Sequence, residues 1–192
     1  MRCTRSRGPR GFENNDVCCG PVNVPLSRLR SGMQLPTPTD EIEQKVVDSI
    51  TRNELHVIHV EASKHGPSFS YSIGFGHLLA HPELLLAQLP FENAQNILYT
   101  AFDRVREGSS FNHLDRAFRV VSPNLEACFL QLLPAVRDQY LTLASWANNR
   151  ESFNALQCVW PDRAGLFPWD AEYDSEFHQS IIGEIDQLTD AG

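Results

Sequence analysis

Hydrophobic positions show no sustained period over the first 38 residues, where glycines and prolines recur from Gly8 to Pro38. That punctuation predicts a tail or linker rather than packed structure. Thr39 and Asp40 then offer a helix cap, with Glu43 in the first turn. Ile42, Val46 and Ile50 fall on one stripe and predict a helix ending near Asn53. Leu55–Glu61 is short and β-branched, hence a strand. Phe69, Tyr71, Ile73 and Phe75 alternate with Ser70, Ser72 and Gly74, the cleanest period of two in the chain. The aromatic and aliphatic set points to a core. The small Ser/Ser/Gly face would let a backbone or ligand come close. Glu83–Leu89 reads as a third strand.

Ala94, Ile97, Leu98, Ala101, Phe102 and Val105 recur at i, i+3, i+4 and i+7, which predicts an amphipathic helix ended by Gly108. Phe118–Val121 and Ala127–Leu133 read as strands joined by a turn at Pro123-Asn124. Asp138–Asn148 reads as a helix, Phe153–Trp160 as a last strand, and Glu176–Leu188 as a terminal helix with Phe177, Ile181, Ile185 and Leu188 on one stripe. Consecutive strands with short breaks favour antiparallel pairing, and the helical crossovers are too few for a doubly wound parallel sheet. The expected fold is α+β: one mixed, mainly antiparallel sheet of five or six strands packed by two or three helices. Residues 1–38 are expected to form a disordered basic tail, and 39–192 a single globular domain.

Composition narrows the function classes. A chain of 192 residues with 42% hydrophobic content supports one sizeable core. No apolar run approaches the roughly 20 residues of a membrane helix, so no span is expected. The tail has six arginines against Glu13 and Asp16, and the rest carries a strongly negative balance within a total of −8. An acidic globular part argues against nucleic acid as a partner, since phosphate binding needs clustered Lys and Arg. The five cysteines, at 3, 18, 19, 128 and 158, form no C-x-x-C pair. They imply a reducing, cytoplasmic compartment without a disulfide framework, although the Arg-rich tail leaves export open. Cys128 and Cys158 lie in apolar runs and read as small buried hydrophobes.

Two clusters carry candidate chemistry. Tyr71, His81 and Glu83, beside Gly74, His77 and Pro82, supply a hydroxyl, a titratable ring and a carboxylate, the elements of a general acid–base site. The plainer alternative is a loop that Pro82 stops and His81 caps. The spacing of His77 and His81 is half of a zinc pattern, but no Cys pair or HExxH accompanies it, so no metal is expected. The second cluster is Gln157, Trp160, Asp162 and Trp169. Two knots of Trp, Pro and Asp, their tryptophans nine residues apart and split by Gly165, describe a rigid aromatic loop that either lids the sheet or lines a ligand pocket. If both clusters meet, Trp160 and Trp169 would wall one cleft holding Tyr71, His81 and Glu83. No nucleophile elbow and no phosphate loop is present.

The ordered set Gly66-Pro67-x-Phe69-x-Tyr71-x-Ile73-Gly74, His81-Pro82-Glu83-Leu84, and Leu156-Gln157-x-Val159-Trp160-Pro161-Asp162-x-x-Gly165-x-Phe167-Pro168-Trp169 resembles the bacterial family called domain of unknown function 4262. The resemblance covers about residues 40–175. It implies bacterial origin and one compact domain, and it brings no activity. A looser similarity to flavin-binding split barrels lacks the Arg/Lys–Ser/Thr phosphate cradle and names no cofactor. Two function classes remain. One is an enzyme or binder with a small-molecule or peptide pocket. The other is a protein-interaction module, or exported effector, that uses the tryptophan loop and the acidic surface. Substrate, partner, cofactor and oligomeric state are not legible in the sequence.

Overall fold

A computed structural model describes residues 34–52, 54–64, 66–122 and 125–185. The expected turn at Pro123-Asn124 and most of the expected tail lie outside them. Leu35 sits against an apolar cluster containing Tyr71 and Ile50.

Asp40 caps the first helix as its side chain permits. Oδ1 accepts the amides of Ile42 and Glu43, each at 2.8 Å, and satisfies two donors that the first turn leaves unpaired. This helix, α1, spans Glu41–Thr51. It turns Val46 and Ile50 inward, while Ile42 stays 57% exposed.

Six strands follow: β1 (His56–Val60), β2 (Phe69–Ile73), β3 (Glu83–Ala87), β4 (Arg116–Ser122), β5 (Leu125–Gln131) and β6 (Ala155–Val159). They form one sheet in the order β1-β2-β3-β6-β5-β4. Every pairing is antiparallel except β3 with β6, where Glu83 stands level with Ala155. The last strand thus inserts into the middle of the sheet, and the fold is α+β with one mixed six-stranded sheet.

Helices cover both faces. On one face lies α2 (Phe91–Arg106), the helix predicted from its stripe, which buries Ala94, Ile97, Leu98, Ala101 and Phe102. Those residues pack on Leu84, Leu86, Phe129 and Cys158. On the other face, α1 joins the short helices α3 (Pro134–Tyr140) and α4 (Thr142–Ala147) over Tyr71, Ile73, Leu85 and Ala87. Because β3 is buried on both sides, its residues form an unbroken apolar run after Glu83.

Two helix expectations are corrected, while that for β2 holds. The small Ser/Ser/Gly face of β2 is filled by neighbouring backbone: the Leu84 amide donates to Ser72 Oγ at 2.8 Å, and a Cβ on Gly74 would meet Glu54 O at 3.5 Å. The helix expected over 138–148 is two helices, broken at Leu141 (φ −101°, ψ 51°). The break seats the Leu141 side chain in the core and brings the Leu143 amide to the Tyr71 hydroxyl at 3.4 Å. The terminal helix is absent among the described residues. A short 3-10 turn at Ser175–Phe177 is followed by an extended strap, because the strap's polar backbone finds partners on the sheet. Gln157 donates to Ser180 O at 2.7 Å and accepts the amides of Ile182 and Gly183 at 2.7 and 2.8 Å, while Glu184 donates to Gln131 O at 2.9 Å. Leu188 lies outside the described residues.

Phe102 is buried against Phe75, with ring centroids 5.3 Å apart. Phe102→Ala should therefore destabilise the domain by about 3–5 kcal/mol in urea unfolding. A change within about 0.5 kcal/mol would show that the stripe does not carry core packing. Gly183 tests the strap: a Cβ there would stand 2.6 Å from Leu130 Cβ. Gly183→Ala should cost about 1–3 kcal/mol and raise hydrogen exchange at the Ile182, Gly183 and Glu184 amides. Unchanged exchange at those amides would mean that the strap tolerates the extra carbon.

Candidate functional site

The connection from β2 to β3 is the most unusual backbone in the domain. The chain leaves β2 through Gly74 at φ 136°, makes one π turn over Phe75–Leu79 and exits through Ala80 in the left-handed region (φ 56°). A side chain at Gly74 would be strained. Single π turns are rare and recur at functional sites.

Glu83 holds this turn. Its Oε1 accepts the amides of Gly74 and Gly76, each at 3.0 Å, and its Oε2 accepts the Ser72 hydroxyl at 2.5 Å. Ser72 Oγ in turn accepts the Leu84 amide at 2.8 Å. The carboxylate is buried. Burial pushes its carboxyl above the usual range, and the Ser72 hydroxyl with the Gly76, Gly74 and Phe75 amides pulls it back.

His81 makes a second clamp. Nδ1 faces Pro82 O at 2.8 Å, and Nε2 accepts the Phe111 amide at 2.9 Å. A carbonyl on one side and an N–H on the other require the neutral ring protonated on Nδ1. Burial lowers the His81 pKa, and the Pro82 carbonyl raises it in part. Both ring nitrogens are engaged, so neither is left for proton transfer in this arrangement. Phe75 and Phe111 flank the ring at 5.4 Å each.

These clamps border a half-open cavity of about 250 Å³. Gly76, His81 and Glu83 line one side, and Asn148, Ser152 and Asn154 line the other. The second wall is itself held in place. Asn154 O accepts the Glu83 amide at 3.0 Å. The Arg137 guanidinium donates to Phe153 O, stacks 4.6 Å over the Phe153 ring and pairs with Asp138 at 2.7 Å. Asn148 donates to Ala144 O at 2.8 Å. His77 is buried beside this region, with Nε2 on Ala147 O at 3.1 Å and Nδ1 without a hydrogen-bond partner.

The single cleft expected from the sequence is not formed. His81 and Glu83 share the cavity, but Tyr71 does not line it. Tyr71 faces α4, and burial raises its pKa while the bonds to Leu143 and Thr142 lower it in part. The tryptophan loop lies at the other end of the sheet. Since β3 and β6 run parallel from Glu83 and Ala155, Trp160 stands roughly 16 Å further along. The two tryptophans are also separated from each other. Trp160 joins the cluster under α2, whereas Trp169 stacks on Phe167 at 4.9 Å on the opposite face.

The loop closes on itself. Asp162 Oδ1 accepts the amides of Ala164 and Leu166 at 2.8 and 2.9 Å, and Oδ2 accepts that of Asp174 at 3.0 Å. These amides, Asp174 first, hold its carboxyl below the usual range. Gln157 is spent on the strap. The sequence reading missed Ser72, Asn148, Ser152 and Asn154 as site residues. In the sequence Ser72 is a small residue on a strand face and a serine outside any nucleophile elbow, and nothing local ties 148–154 to His81.

The family whose model matches residues 49–174 is described as Domain of unknown function (DUF4262). The chain belongs to that family. The matched segment contains both clamps, both cavity walls and the tryptophan loop, so the site lies within the family domain. No curated protein and no solved structure matches the chain.

Burial lowers the pKa of His56, His77 and His81 alike. Each contributes stability that is fully present above the unfolded value near 6.5 and is lost as pH falls from there through the folded value. Glu83, with a raised pKa, has the opposite sign: its contribution is full below the unfolded carboxylate value and is lost as pH rises through the folded value. With three imidazoles against one carboxyl, Tm should fall between pH 7 and 5. Histidine Cε1 proton resonances of all three should titrate below pH 6.5. Midpoints at or above 6.5 would show that the rings are not desolvated.

Proposed function

We propose that this domain binds a compact, polar small molecule in the cavity between the π turn and the 148–154 loop. One observation carries the reading: a buried carboxylate, held by backbone amides, lines a half-open cavity whose two walls lie some seventy residues apart in the chain. A volume of about 250 Å³ suits a ligand of few heavy atoms, since drug-sized pockets run from about 300 Å³ upward. Binding is favoured over acid–base catalysis because both His81 nitrogens already have partners. His81 and Glu83 then act as site-forming residues. Trp160, Asp162, Gln157 and Trp169 support the opposite end of the sheet.

The alternative, an interaction module built on the tryptophan loop, has less support. Trp160 is buried and the loop's polar groups bond inward. The buried, unpaired thiols of Cys128 and Cys158 suit a reducing bacterial cytoplasm, the compartment we assign to the domain.

Gly76 gives a clean test. A Cβ there would meet only Glu83 Oε1 at 3.6 Å and His81 O at 3.9 Å, both ordinary contacts. Gly76→Leu should thus fill the cavity and leave the fold intact. In a thermal-shift screen of amino acids, amines, sugars and nucleobases, at least one compound should raise the Tm of the wild type and not that of Gly76→Leu. Hits that shift both proteins equally, or no hit at all, would refute the cavity as the site.

A further inference from the structure

We propose that the connection from α2 to β4, residues 107–115, is an acid-sensitive latch docked by two histidines that hold it only while both are neutral. Each ring accepts a backbone amide from a distant segment. His81 Nε2 accepts the Phe111 amide at 2.9 Å, which ties the loop to the exit of the π turn. His113, within the loop, accepts the Gln131 amide on Nδ1 at 3.0 Å, which ties it to the end of β5. A backbone N–H can only donate, so each of these nitrogens carries a lone pair. A proton added there sets one N–H against another, and the tie is lost. The latch is independent of what the cavity binds.

The other nitrogen of each ring fixes the tautomer. Pro82 O lies 2.8 Å from His81 Nδ1 and can only accept, so the proton of the neutral ring sits there. In His113 the proton sits on Nε2, which is buried and has no hydrogen-bond partner among the described residues. Charging His113 therefore removes the bond to Gln131 without strengthening another one seen there. Burial lowers the His81 pKa, so the folded protein keeps that ring neutral to a lower pH than the unfolded chain does.

The remaining backbone bonds of the loop lie at its two ends. The Gly108 and Ser109 amides close α2 on Val105 O and Arg104 O, and Leu114 and Asp115 pair with Phe129 where β4 begins. Between them Phe111 is buried and stacked on Phe129 at 4.4 Å, and its amide depends on His81. Acid thus acts on the middle of the loop and at Gln131, and the release is local. Among the described residues, the titratable groups around His81 are Glu83, which lines the same cavity, His77 in the π turn, and Arg104 of α2, 5.8 Å over the Phe111 ring. Around His113 they are Asp115, which accepts the Asn112 amide, and Glu184, whose amide donates to Gln131 O. Carboxylates favour a charged ring and cations oppose it, so these groups set the midpoint. They do not alter which form the two bonds require.

Nuclear magnetic resonance of the full chain tests the latch. At pH 7.5, long-range proton–nitrogen spectra of the imidazoles should show His81 protonated on Nδ1 and His113 on Nε2. Amide hydrogen exchange, corrected for its intrinsic pH dependence, supplies the second readout. From pH 7.5 to pH 5, protection of the Phe111 and Gln131 amides should fall at least tenfold more than that of the Leu98 and Phe102 amides in α2. His113→Asn keeps an acceptor near the Nδ1 position without a titrating ring. In that variant Gln131 should stay protected at pH 5 while Phe111 does not. The wild type decides the matter alone if the variant fails to fold. The opposite tautomer at either ring would overturn the proposal, as would protection that acid leaves unchanged or that falls in step with α2. An acid loss at Gln131 as large in His113→Asn as in the wild type would overturn it too.

Discussion

A single carboxylate organises the β2–β3 end of this domain. The π turn points the amides of Gly74 and Gly76 inward, and a buried amide without an acceptor costs as much as a lost hydrogen bond. Glu83 supplies that acceptor from the first position of the next strand, and Ser72 passes a further bond on to the Leu84 amide. The arrangement is cooperative. Removing the carboxylate strands three donors at once, in a region where water cannot easily replace it. The strained exit at Ala80 and the left-handed Gly74 persist because this network over-determines them.

Other segments converge on the same end. His81 ties the loop after α2 through the Phe111 amide, and Asn154 ties the approach to β6 through the Glu83 amide. Arg137 braces the outer wall from α3. The cavity is the space these ties leave between them. Its polarity follows directly, since the groups that close the chain here are backbone amides, carbonyls and short polar side chains. That polarity supports our proposal that the cavity recognises a small polar molecule.

The far end of the sheet solves a different problem. After β6 the chain needs to cover the face of β5 and β6 that α1, α3 and α4 leave bare. It does so without a helix: Asp162 and Gln179 tie the tryptophan loop, and Gln157 captures the strap. Phe167, Trp169, Ile181 and Ile185 supply the apolar cover over Cys128, Leu130 and Val159. A fully buried glutamine with both ends of its amide used is a strong register pin, since a shift by one residue would break three bonds together.

By itself the sequence determined whatever depends on neighbours a few residues apart. The Asp40 cap, the stripe from Ala94 to Val105 and the alternation through Phe69–Ile73 are consequences of helical and strand periods, and they stand in the structure where they were read. The family was legible as well, from an ordered set of motifs spread over the domain. The stripe Phe177, Ile181, Ile185 misled, because a helical spacing of apolar residues also fits an extended strap whose backbone is bonded to Gln157 and Gln131. The direction of β6 was decided only by the tertiary structure. Parallel pairing with β3 sends Trp160 away from His81, and no local period encodes which way a distant strand runs. For the same reason the cavity wall from Asn148 to Asn154 was invisible: its residues acquire a role only when some seventy intervening residues bring them opposite Glu83.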